Sequence, residues 1–295
     1  MERNKPNATS EPIASITALD EARLARWPVP YESLTIPTRF GDTHIITSGN
    51  QGAPPLVLIH ALGVTSTMWL PNIAALSRDY RTYALDTIGD IGQSVLTSQD
   101  YYPKNGQAYS NWLVDVFDEL GINQAHLIGS SMGGWITMNH SIYAPERVNH
   151  IALLGPMGLP SWLTTLKVLS HLWHVLLFPT KTNIDKTVRW ALGEEPSVRE
   201  ELADYLVIGA TSFSSFRLAP PLPLSDAKLK MIRLPVLLLL GERDHVIGNA
   251  SEVANRARRT MPQVQVEIIS GAGHMMNTEK PEFVNRRILS FLQEE

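Results

Sequence analysis

A mostly parallel α/β sheet flanked by helices, doubly wound and interrupted by one inserted helical cap, is the fold class this sequence predicts, on three observations. Short apolar runs recur along the chain with helical patterns between them. Several of those runs are apolar at every position, as a strand covered on both faces requires. One interval, from Pro156 to about Arg233, carries no convincing strand but several helical stretches rich in Leu, Trp and His, and it is too long for a structureless connection.

Taken in order, residues 1–12 are polar with two prolines and read as a loose tail. Ile16, Leu19, Leu24 and Trp27 mark one face of a short helix stopped by Pro28 and Pro30. Strands are expected at Thr43–Ser48, Pro55–His60, Tyr80–Leu85, Ala125–Gly129, Val148–Leu154, Pro235–Leu240 and Val264–Ile269. In Gln107–Leu120 the residues Trp112, Leu113, Val116, Phe117 and Leu120 recur at helical spacing, and Gly121 supplies a stop. Pro281 opens a last helix carrying Phe283, Val284, Ile288, Leu289, Phe291 and Leu292. Within the insertion, Trp162, Leu163, Leu166, Leu169, Leu172, Trp173 and Leu176 recur mostly at threes and fours. That spacing predicts an amphipathic helix laying its apolar face on the strand ends. The expected organisation is a tail and short helix at 1–30, a first core part at 31–155, a helical cap at 156–233 and a second core part at 234–295.

Composition bounds the function. The 295 residues carry a net charge of −4, with 44% hydrophobic and 18% charged side chains. This lies in the globular range and carries no basic footprint, so wholesale disorder and nucleic-acid binding are excluded. Without cysteine there is no thiolate chemistry, no Cys-ligated zinc and no disulfide framework. The first 27 residues have no apolar core of the signal-peptide kind. The apolar stretch Leu166–Phe178 is broken by Lys167, His171 and His174, and it is shorter than the about 20 residues a bilayer requires. The expectation is a cytoplasmic protein, monomer or homodimer, with no membrane partner. His171 and His174 have a spacing that can hold metal, but they lack an acidic partner and read as core or pocket lining. No P-loop, dinucleotide fingerprint or EF-hand pattern is present, so no cofactor and no metal are implied.

The sharpest local signal is Gly129-Ser130-Ser131-Met132-Gly133, which matches G-x-S-x-G. A bare match arises by chance in about one chain in ten of this length. Here it follows a buried-strand run and precedes a stretch, WITMNHSIY, that continues as a helix. A sharp strand-to-helix turn forces its central residue into an unusual backbone conformation and leaves room only for glycine beside it. Ser131 therefore presents its hydroxyl at the head of a helix.

A serine hydroxyl needs a base to take its proton and a carboxylate to orient that base. Asp244 follows the apolar run PVLLLL, and His274 lies in a glycine-bounded loop after Val264–Ile269. Both would stand at the carboxyl ends of strands, on the same edge as Ser131. Neighbouring His245 has no such loop to deliver it, and LLGPMG at 153–158 offers no rival carboxylate. The oxyanion of an acyl-transfer intermediate needs backbone N–H groups. These are expected from Met132 and from Leu62 in His60-Ala61-Leu62-Gly63, where His60 braces the loop. Val246 and Met275, next to the triad members, and Trp173 in the insertion are the candidate substrate-pocket residues.

From about Tyr31 to Leu292 the chain resembles the α/β-hydrolase superfamily, through HALG at 60–63, GSSMGG at 129–134, GERD at 241–244 and GAGH at 271–274. ALDTIGDIGQS at 84–94 is similar to the family's loop after the fourth strand, and EKPEFVNRRILSFL to its closing helix. Two departures stand out. Ala61 replaces the usual glycine after His60, and the loop Asp86–Ser94 has one extra residue between its glycines and no arginine. That loop separates the chain from proline iminopeptidases and haloperoxidase-like members. Ser131, where dehalogenases and epoxide hydrolases have aspartate, separates it from those. The resemblance implies a hydrolase core with a helical cap at about 156–233; the triad reads as that of a serine esterase, and the apolar cap and the apolar residues near the elbow suggest small to medium apolar substrates. Carbon–carbon, lactone or thioester hydrolysis on the same triad, or a ligand receptor with little turnover, are the alternatives it leaves.

Overall fold

Two antiparallel strands, β1 (Tyr31–Thr38) and β2 (Gly41–Ser48), begin a sheet. It continues with β3 (Pro55–Ile59), β4 (Arg81–Leu85), β5 (Val95–Leu96), β6 (Ala125–Ser130), β7 (Val148–Leu154), β8 (Val236–Gly241) and β9 (Val264–Ile269). The computed structural model describes residues 10–178, 180–192, 198, 202–205, 207–208 and 217–294. Among them the strands form one sheet in the order β1-β2-β4-β3-β6-β7-β8-β9, with β5 paired to β2. From β4 through β9 every neighbouring pair is parallel.

The continuous apolar runs now have their reason. In β3, Val57 and Ile59 face one apolar core while Leu56 and Leu58 face the other, and β8 divides Leu238 and Leu240 from Leu237 and Leu239 in the same way. A period-2 backbone with helices on both faces buries every position. One core is closed by α3 (Gly106–Glu119), α4 (Met132–Tyr143) and α8 (Ala250–Thr260), through residues such as Val116, Ile136 and Val253. The other is closed by α1 (Ser10–Leu24), α2 (Leu70–Leu76) and α10 (Pro281–Leu292), through Ile16, Ile73 and Ile288. The short α9 (Met276–Glu279) leads into α10. Each such side chain, fully buried, contributes about 1.5–3 kcal/mol of transfer free energy.

The expected strands all form, within a residue or two of their predicted ends. β1 and the two-residue β5 are additions to that set. YESLTIPT is an outer antiparallel strand with mostly exposed positions, so it shows no apolar run. α1 begins at Ser10, so residues 10–12 are helical rather than tail, and Trp27 lies beyond the helix, buried with its indole N–H donating to Ser48 Oγ at 3.1 Å.

Between β7 and β8 lie α5 (Trp162–Leu177), α6 (Lys181–Leu192), helical residues 202–205 and 207–208, and the short α7 (Asp226–Leu229). The predicted inward face of α5 is wrong at its first turns. Trp162, Leu163 and Leu166 are exposed, and Thr165 and Val168 are buried. The Thr165 hydroxyl donates to the Ser161 carbonyl at 3.1 Å, so that face is buried without losing a hydrogen bond. The side chains of Leu172, Trp173, His174 and Leu176 lie outside the described residues. No described helix is long and apolar enough to cross a membrane.

Candidate active site

The strand order β6-β7-β8-β9 brings four loops side by side at the carboxyl edge of the sheet. The first is the turn from β6 into α4. Ser131 sits there with φ 52° and ψ −111°, and it is the one non-glycine residue with positive φ among those described. A serine in this conformation costs on the order of 1–3 kcal/mol, which the surrounding backbone must impose. Its amide donates to the Leu154 carbonyl at 3.0 Å, and its own carbonyl accepts from the amides of Met157 at 3.0 Å and Trp135 at 3.2 Å. The flanking glycines are steric necessities. A Cβ on Gly129 would overlap the Gly133 carbonyl, and one on Gly133 would overlap the Ile59 carbonyl.

Asp244 and His274 come from the loops after β8 and β9. His274 Nδ1 lies 2.7 Å from Asp244 Oδ2, and the other carboxylate oxygen accepts the amides of Val246 at 2.8 Å and Ile247 at 3.1 Å. A carboxylate oxygen accepts, so Nδ1 is the donor of this bond and Nε2 is the ring nitrogen left for another partner. Ser131, Asp244 and His274 are all buried. The fourth loop, after β7, contributes Gly155 with φ +49°, where an added Cβ would stand 2.9 Å from Asp244 Oδ2 and 3.2 Å from His274 Nδ1. In the sequence this loop stands out only for lacking a carboxylate.

The loop after β3 is held from several sides. His60 is fully enclosed; its Nδ1–H donates to the Ala61 carbonyl at 2.7 Å and its Nε2 accepts the Thr87 amide at 2.8 Å. Burial pulls its pKa below the ordinary histidine value, so it braces as a neutral ring. The amides on either side of Leu62 are engaged. Ala61 N–H points to Met68 Sδ at 3.2 Å, and Gly63 N–H is shared by the two Asp90 carboxylate oxygens at 3.3 and 3.2 Å. Met132 is the first residue of α4, at the helix N-terminus beside Ser131.

Asp90 belongs to the stretch in which the sequence carries one extra residue, and that departure is the only signal for it. Burial raises its pKa to about 7, against the pull of the Ile91 and Gly63 amides, and the charge of Asp86 adds to the rise. Asp86 itself is wholly buried. Burial would raise its pKa too, but the His44 hydrogen bond at 2.9 Å, the charge of His44 and the Gln93 amide hold it at about 2. Its other oxygen accepts the Ser66 amide at 2.8 Å, so Asp86 ties the end of β4 to the chain leaving the Leu62 loop.

The candidate pocket residues fall as follows. Val246 and Met275 are buried, each packed in one of the two apolar cores. Trp173 is helical, with its side chain outside the described residues. His171 stacks on Trp190 with ring centroids 4.1 Å apart and donates from Nδ1 to the Lys167 carbonyl at 2.9 Å. His245 is exposed.

The chain is similar to known proteins over most of its length. The family model described as "Alpha/beta hydrolase family" matches residues 56–287. The chain is 38% identical over 283 residues to the protein named "Uncharacterized carboxylesterase nap" of Bacillus subtilis (strain 168), covering 92% of this chain and 90% of that one. It is 35% identical over 277 residues to carboxylesterase YbfK of the same organism, with 91% and 90% covered. The crystal structure of naproxen esterase (carboxylesterase NP) from Bacillus subtilis superposes with a TM-score of 0.85 at 36% identity, over 96% of this chain and 99% of that one.

Proposed function

The chain belongs to the alpha/beta hydrolase family, and from that premise we propose that Ser131 is the nucleophile of its ester hydrolysis, with His274 as base, Asp244 as its orienting carboxylate, and the Leu62 and Met132 amides as oxyanion donors. The protein is a carboxylesterase-like serine hydrolase. Ser131 Oγ attacks the ester carbonyl carbon while His274 Nε2 takes its proton. The carbonyl π electrons move onto oxygen, where the two amides receive the charge. Collapse expels the alcohol, which takes the proton back from His274. Water then adds to the acyl-enzyme by the same route and restores Ser131.

The observation that carries this reading is the backbone of Ser131. A non-glycine residue held at φ 52° between a strand and a helix is strain that the fold maintains at one position among the described residues, on the same carboxyl edge of the sheet from which the Asp244 and His274 loops leave, and that supports Ser131 as the nucleophile. We take residues 156–233 as the cap over this edge and small to medium apolar esters as the substrates. A chain without cysteine suits a cytoplasmic location.

The test is covalent. An organophosphorus acyl-ester mimic should arrest turnover of p-nitrophenyl acetate and add its phosphoryl mass to the peptide holding Ser131. The S131A variant should take no label. Stoichiometric label on any other residue, with turnover arrested, would overturn the assignment.

A further inference from the structure

The N-terminal helix α1 lies wholly outside the segment matched by the family model, 56–287, yet it reaches the chain that leaves the Leu62 loop. Asp20 of α1 is 1% exposed. Its Oδ1 accepts hydroxyl hydrogen bonds from Thr65 at 2.6 Å, Thr67 at 3.2 Å and Tyr205 at 2.7 Å. Thr67 Oγ1 and the Tyr205 hydroxyl are also 3.2 Å apart, and Thr65 Oγ1 lies 2.8 Å from Thr67 Oγ1. Arg23, one turn on, donates from Nη2 to the Thr67 carbonyl at 3.2 Å and stands 6.0 Å from the centroid of the Tyr205 ring.

Thr65 and Thr67 begin the short turn after the loop, and Tyr205 belongs to the insertion between β7 and β8. One buried carboxylate thus gathers hydroxyls from two segments 138 residues apart. Anchoring α1 would need only one of them. Burying a carboxylate is costly unless its oxygens are well supplied, so the cluster is an expensive way to attach a helix but an effective way to fix two other segments relative to each other.

We propose that Asp20 is a positioning residue that clamps Tyr205 of the insertion against the turn following the oxyanion loop, and that this clamp sets how large an acyl group the site accepts. The inference rests on the ester hydrolysis proposed above. With the clamp intact, the insertion is held at a fixed height over the loop end of the sheet. Losing one hydroxyl or its acceptor releases both segments, so larger acyl groups gain relative to small ones.

Tyr205→Phe removes only a hydroxyl and keeps the ring, which guards against loss of folding; Asp20→Ala removes the acceptor. Each should raise the ratio of kcat/KM for p-nitrophenyl octanoate over acetate by about fivefold, and the double variant should rise no further, because all act on one contact. Hydrogen exchange of the 295-residue chain without substrate is the second readout. In Tyr205→Phe the amides of residues 62–67 should exchange faster along with those of 202–205. Unchanged selectivity in both single variants, effects that multiply in the double, or faster exchange confined to α1 would each overturn the clamp. Exchange is read without turnover, so a failure of ester hydrolysis leaves this part of the test standing.

Discussion

Gly155 and His274 are in direct apposition at the carboxyl edge of the sheet: a methyl on Gly155 would stand 3.2 Å from the imidazole Nδ1 and 3.4 Å from its Cε1. The loop after β7 therefore acts as a wall against the Asp244–His274 pair. Gly155→Ala must push that pair aside and also hold alanine at φ +49°. The backbone strain should cost about 1–3 kcal/mol of stability. Displacing the proposed base should lower kcat for p-nitrophenyl acetate by about 10–100-fold, with KM changed much less. Full activity in a folded Gly155→Ala protein would show that the pair is not constrained from this side.

Ser130 and Ser131 are adjacent but not equivalent. Ser130 ends β6, wholly buried, and Ser131 is the turn residue. Ser131→Ala should cost on the order of 10³-fold or more in kcat, because members of the proposed triad act as a unit. Ser130→Ala should retain most activity. Steady-state kinetics on one ester, with thermal melts to check folding, decides it; equal losses would exclude Ser131 as the special residue.

Asp90 gives the fold a pH dependence of its own. Burial lifts its carboxyl to about 7, above the ordinary value of 3.8. Between these values the native chain retains a proton that the unfolded chain has released, so stability falls as pH rises through about 4 to 7, and the loss persists above. Asp90→Asn keeps an acceptor for the Gly63 amide but cannot ionise. Its Tm should match that of the wild type near pH 3.5 and exceed it by on the order of 10 °C at pH 8, each kcal/mol being worth about 2–4 °C in a chain of this size. Parallel Tm curves would refute the shift.

His140 acts with the opposite sign. It is buried in α4 against Phe117, and burial holds its pKa at about 4, with the Ser110 contact opposing and the charge of Arg147 assisting. Below about 6.5 the unfolded chain takes up a proton that the native ring refuses. Its contribution is full above that pH and is lost on acidification towards 4, on the order of 3 kcal/mol in all. His140→Gln should lower stability at neutral pH yet flatten its fall between pH 6.5 and 4.5, read as the difference in urea midpoint. An unchanged slope would mean the ring is already protonated in the native state.

The residues proposed for the chemistry are legible in the amino-acid sequence because each depends on its immediate neighbours. The turn at Ser131 needs glycines at fixed offsets, and Asp244 and His274 each follow an apolar strand by a few residues. The two-sided strands are legible for the same reason: burial on both faces writes itself as unbroken Val, Leu and Ile. Tertiary structure alone decided which side of α5 faces inward. The helical period is the same for either face, and only what lies beneath the helix made Thr165 and Val168 the buried positions and left Trp162 and Leu166 in water. It alone brought Gly155 against His274, Asp90 to the Gly63 amide, and Asp20 to Tyr205 across 185 residues. Such contacts leave no periodicity in the chain. They arise when loops separated by whole strands and helices close onto one another, and there burial and hydrogen-bond satisfaction, rather than local propensity, select the partner.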